Sequence, residues 1–175
     1  METRTNTVYA FHHIKNVEEL LINFLKSMTD DAIFIMYDYF GPVRMQWDHR
    51  VIDIANSLMR RIPLSLREKL PEVQRTGIYE FLRCDPSEGV SGGNVLEIAK
   101  SIFEVVEEIN MGSTLGHPMF AYNASLFDMN NVGDRSIAEI VIEFESILVE
   151  EGIIQSDIKL VICRARADVS LFYKQ

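Results

Sequence analysis

The chain has 175 residues, 47% of them hydrophobic and 25% charged, with a formal net charge of −9. That composition excludes a disordered chain and predicts one globular domain over residues 1–175, with the polar start 1–6 unordered. The acidity excludes the basic footprint of a nucleic-acid binder, and no apolar run approaches the roughly 18 residues of a membrane helix.

In chain order, Thr7–Ile14 reads as a strand, and Asn16 with Glu19 forms a capping box for a helix to about Met28. Ala32–Phe40 is a predicted central strand, ended by Gly41-Pro42. Asp48–Ile62 has helical spacing, with Val51, Ile52, Ala55, Leu58 and Met59 on one side. A short helix after Pro63 leads to a third strand, Gly77–Cys84, and a turn-rich loop, 85–94. Asn94 and Glu97 then open a helix over Val95–Asn110. A second loop, 111–118, leads to alternating Phe120, Tyr122, Ala124 and Leu126, which predict a strand over Met119–Met129. Asp134 caps a long helix to Glu150 or Glu151, stopped by Gly152. Ile158–Cys163 is a clear strand, and Val169–Tyr173 is a candidate for another. Alternation of this kind predicts an α/β or α+β fold, a single mixed sheet of about five to six strands with helices packed on it.

Charge is unevenly spread. Residues 84–157 hold 14 acids against Lys100 and Arg135, a net of −12, whereas residues 43–83 hold eight basic residues against five acids, a net of +3. On the predicted helices, Glu97, Glu104, Glu107 and Glu108 share one solvated side, and Glu139, Glu143, Glu145 and Glu150 another. Few i, i+4 lysines offset them, so their repulsion costs about a few tenths of a kcal/mol per pair. Such a surface either keeps the protein soluble or attracts a basic partner.

Signatures of catalysis are absent. Gly89-Val-Ser-Gly-Gly-Asn94 has neither Walker nor dinucleotide spacing, and the polar turn before Ser91 breaks the strand–serine–helix context of a nucleophile elbow. His12 and His13, adjacent on a strand, are expected on opposite faces and unable to share a metal. His117, in a Gly-rich loop, is the better catalytic candidate. Cys84 and Cys163 lack a CxxC partner and read as small buried hydrophobes, with no disulfide framework. Trp47 reads as core or as an interface anchor. The start Met-Glu-Thr-Arg-Thr-Asn has no leader pattern, so the expected location is the cytoplasm.

These readings lead to a non-enzymatic binding protein without cofactor or metal. It is expected to be an immunity or antitoxin-type inhibitor that neutralises a basic, nuclease-like toxin. Glu104, Glu107, Glu108, Glu143, Asp128 and Asp134 are the expected charge contacts, and Tyr122 and Phe127 the anchors. Nucleic acid and membrane are excluded as partners. The alternatives are a small enzyme or ligand-binding domain with its site on loops 85–94 and 111–118, and a structural homodimer.

Overall fold

The computed structural model describes residues 4–166, 168 and 169, with residues 4–8 as backbone. Its elements run β1 (Arg4–Val8), α1 (Val17–Ser27), β2 (Ile33–Tyr39), α2 (His49–Met59), α3 (Ile78–Cys84), α4 (Asn94–Ile102), β3 (Phe103–Asn110), α5 (Gly116–Phe120), α6 (Val132–Glu150) and β4 (Ile158–Ala165). Single 3₁₀ turns lie at Phe11–His13, Val43–Met45, Leu64–Leu66 and Ala124–Leu126. No described helix is long and apolar enough to cross a membrane.

The chain divides into two compact units. The first, Met1–Met45 with Gly77–Met111 and Ile158–Gln175, contains the sheet. Its order is β1-β2-β4-β3: β2, β4 and β3 are antiparallel, and β1 runs parallel to β2 on the edge. Phe34 and Met36 of β2 and Val161 and Cys163 of β4 put alternate side chains into one buried face. That face forms one core with Val17, Leu21 and Leu25 of α1 and Val95, Ala99 and Ile102 of α4. Spacing of three to four residues gives each helix a single apolar stripe, and each buried leucine contributes about 1.5–3 kcal/mol. Phe34 sits at the centre, with the rings of Phe11, Phe24 and Phe103 at 6.0, 5.5 and 5.2 Å.

The second unit, Gln46–Thr76 with Gly112–Asp157, is helical. Its buried residues include Val51, Ala55 and Met59 of α2, Met119 of α5, and Val141 and Leu148 of α6. Asp48 caps α2 by accepting from Val51 N–H at 2.9 Å. Asn131, not Asp134, caps α6, accepting from Gly133 N–H and Asp134 N–H.

The mixed architecture agrees with the sequence, but the sheet has four strands among the described residues, fewer than the expected five to six. Thr7–Ile14 is not a continuous strand: Tyr9 takes φ +52° and the chain turns into the 3₁₀ segment Phe11–His13. Gly77–Cys84 is helical, and its exposed Ile78, Tyr79 and Leu82 bury no sheet face. The helix expected over Val95–Asn110 ends at Ile102, and Phe103–Asn110 becomes β3. Met119–Met129 holds the end of α5 and a 3₁₀ turn in place of a strand. β1 begins inside the polar start, and the candidate strand Val169–Tyr173 lies, past Val169, outside the described residues.

Candidate functional site

Glu104, Glu107 and Glu108 lie on β3, the outer strand of the sheet, not on a helix. Glu104 stands opposite Arg164 and Glu107 opposite Ile162, and both are exposed. Glu108 is neutralised within its own unit, with Lys159 Nζ at 2.5 Å and Lys100 Nζ at 3.4 Å. Burial alone would raise its carboxyl, but the two ammonium groups outweigh burial and leave it below its ordinary value.

On α6, Glu139, Glu143 and Glu150 are exposed as expected, with Arg135 Nε 3.7 Å from Glu139. Glu145 is not on that face. It shares the buried side with Val141 and Leu148, and its carboxylate accepts from Thr114 N–H at 2.6 Å and Gly116 N–H at 2.9 Å. Asp134 accepts from Asp128 N–H and Asp128 from Asn130 N–H, so both help to order the start of α6. Tyr122 is exposed, whereas Phe127 is half-buried edge-on to Phe120. The sequence reading missed the outer side of α6. Ile140, Phe144 and Ile147 follow one another at i, i+4 and i+7, yet are 65%, 38% and 47% exposed. Helical spacing alone was the available signal, and it does not say which of two apolar stripes is covered.

The interior of the second unit holds two buried carboxyl groups, Glu145 and Asp157. Trp47 is buried and donates its Nε1–H to Asp157 Oδ2 at 2.6 Å. Thr114 Oγ1 accepts from Asp157 N–H and donates to the Gln155 carbonyl. Burial pushes the Asp157 carboxyl up to about 7, the hydrogen bond from Trp47 opposes the rise, and the charge of Glu145 adds to it. His117 lies in the first turn of α5, its ring edge-on to Trp47 at 6.3 Å.

In the first unit the two adjacent histidines come together. The 3₁₀ turn after Tyr9 replaces the alternation of a strand, and the His12 and His13 rings lie 4.1 Å apart. Asp38, buried on β2, accepts from Ala10 N–H and Phe11 N–H at 2.8 Å each and from the His12 ring Nδ1–H at 2.5 Å. Burial would raise this carboxyl, but the hydrogen bonds from His12, Phe11 and Ala10 hold it below its ordinary value. Loop 85–94 packs in the same unit: Ser91 is buried, its backbone N–H donating to the His12 carbonyl and its hydroxyl to that of Ile14. Ser91 is thereby a structural tie. Cys163 is buried with its thiol pushed up to about 12 by burial, but Cys84 is exposed on α3, against expectation.

No family model, curated protein or solved structure matches the chain.

Proposed function

We propose that the protein is a non-enzymatic binding protein that docks a basic protein partner on the outer face of α6. The observation that carries this reading is the exposed apolar row Ile140, Phe144 and Ile147, flanked by the exposed carboxylates Glu139, Glu143, Glu150 and Glu151. Water-exposed isoleucine and phenylalanine in a continuous row are unfavourable unless covered, and a rim of one charge sign sets what covers them. A partner with an apolar centre ringed by lysine and arginine would bury the row and relieve the repulsion among the glutamates. Tyr122 is a further exposed aromatic side chain of the same unit.

Among proteins of this chemistry the reading points to an immunity or antitoxin-type inhibitor of a basic, nuclease-like toxin. The test is association of the captured partner with the Glu139→Gln/Glu143→Gln/Glu150→Gln variant. Loss of three steering charges slows association at low salt by about tenfold and flattens its salt dependence. Equal rates for variant and wild type at low salt would remove the electrostatic part of the reading.

A further inference from the structure

The side chains of His12, His13 and Glu88 converge at ion-pair distance without closing to hydrogen bonds. His12 Nε2 lies 3.5 Å from Glu88 Oε1, and His13 Nε2 lies 3.7 Å from Glu88 Oε2. Imidazolium groups paired to a carboxylate close to about 2.7–2.9 Å, so neither distance is a hydrogen bond. All three donor groups fall within 4.8 Å of one another. Metal–ligand bonds of about 2.0–2.1 Å put tetrahedral donors about 3.3 Å apart, so the two nitrogen–carboxylate separations of 3.5 and 3.7 Å need only a small contraction around an ion. The His12 side chain is 4% exposed, and its Nε2 has no hydrogen-bond partner among the described residues.

The surroundings fix these donors in place. Nδ1 of His12 is engaged by Asp38 Oδ1, which turns Nε2 toward Glu88 and makes it the nitrogen available to a ligand. Nδ1 of His13 is 3.1 Å from Ser87 Oγ, so its Nε2 also points inward to the cluster. A histidine ligand whose second nitrogen bonds a carboxylate or hydroxyl is the usual supporting arrangement of a metal centre. Glu88 sits on a tight turn: Asp85 Oδ1 accepts from Ser87 N–H and Glu88 N–H, and the Glu88 carbonyl accepts from the Arg44 guanidinium at 3.0 Å. Gly89 follows with φ +61°, and a Cβ there would stand 3.1 Å from Arg44 N. The rings of Tyr9 and Tyr39 pack across the His12 ring in T-shaped pairs, with centroids 5.7 and 5.9 Å away.

We infer that His12 Nε2, His13 Nε2 and the Glu88 carboxylate bind one divalent first-row transition-metal ion, with Asp38 and Ser87 as positioning residues. Two imidazole nitrogens favour zinc, cobalt, nickel or ferrous iron over calcium and magnesium, which take oxygen ligands. His13 and Glu88 are part-exposed, so the centre opens to solvent on their side and leaves a fourth position for water.

The test uses the full chain, freed of metal by chelation and titrated with Co²⁺ by visible absorption and with Zn²⁺ by competition. One equivalent binds with a dissociation constant of about 1 μM or tighter, and Co²⁺ develops the intense bands of a low-coordinate site. His13→Ala and Glu88→Gln, chosen because both side chains are part-exposed, weaken binding by at least about 100-fold with unchanged circular dichroism. His49→Ala and His117→Ala leave it unchanged. Absence of one-equivalent saturation, equal affinity in His13→Ala and Glu88→Gln, or loss in His49→Ala or His117→Ala would each overturn the assignment.

Discussion

Asp38 in the first unit and Asp157 in the second are both buried, yet their carboxyls move in opposite directions from the same ordinary value of 3.8. Asp38 is met by donors: the backbone N–H groups of Ala10, Phe11 and Tyr39 and the ring of His12. They outweigh the cost of burial and keep it ionised. Asp157 receives the indole N–H of Trp47 and the field of a second carboxylate, Glu145, so burial prevails and the acid stays protonated to about pH 7. Depth alone decides neither case. The neighbours do, and they differ because one aspartate lies beside a turn rich in free N–H groups and the other beside an acid already holding the N–H groups of Thr114 and Gly116.

The largest expected effect comes from removing the donors' shared acceptor. Asp38→Ala leaves the buried Phe11 N–H and the His12 ring unsatisfied and destabilises the protein by about 3–5 kcal/mol in denaturant unfolding. A loss below about 1 kcal/mol would mean that Asp38 does not organise the turn.

Asp157 gives the next effect, with the sign reversed. Its folded pKa is raised, so its stability contribution is complete below about pH 4, falls as pH rises, and is lost above about pH 7; the total is about 4 kcal/mol at most. Asp38, with a lowered folded pKa, contributes stability above about pH 4 that is lost as pH falls. Asp157→Asn therefore flattens the decline in stability between pH 4 and 8 and leaves the acid limb intact. A variant whose stability still declines across that window would break the comparison. Glu145→Gln removes only one contributor to the Asp157 rise, so it shifts the midpoint of the decline to lower pH by the smallest amount of the three. A carboxyl-carbon NMR titration of Asp157 reads that shift directly.

Much of the fold is legible where the apolar pattern agrees with burial. Ile33–Tyr39, Ile158–Ala165 and the helices at Val17–Ser27, His49–Met59 and Val132–Glu150 fall close to their expected places. The misses have local causes. Ile98, Ile102 and Val106 keep helical spacing across the α4–β3 junction, with no glycine or proline to mark it; the chain extends at Phe103, where a run of β-branched Val105, Val106 and Ile109 begins. Ile78, Tyr79 and Phe81 suggest a strand, but Glu80, Leu82 and Arg83 are good helix formers and the segment is largely exposed.

The candidate sites were legible only in part. His12 and His13 were separated by a strand assumption that the left-handed Tyr9 defeats. A signal was present nonetheless: Asp38 stands in the apolar run Ala32–Phe40, where a buried carboxylate requires a dedicated set of donors. The acids of 84–157 were legible as a charge but not as a surface, because Glu145 turned inward and Glu108 found Lys159.

The docking of a basic partner on α6 is tested most directly by replacing the apolar row. Affinity capture with wild type and with Ile140→Ser/Phe144→Ser/Ile147→Ser, at matched amounts and with thermal unfolding as a control, reads it in one experiment. Ile140 is 65% exposed but Phe144 only 38% and Ile147 47%, so the latter two substitutions each cost about 1 kcal/mol, and the thermal control establishes that the variant remains folded. The account predicts that wild type retains a stoichiometric basic protein and that the triple variant, equally folded, loses it. Retention of that protein by the triple variant would contradict the assignment of α6 as the docking face.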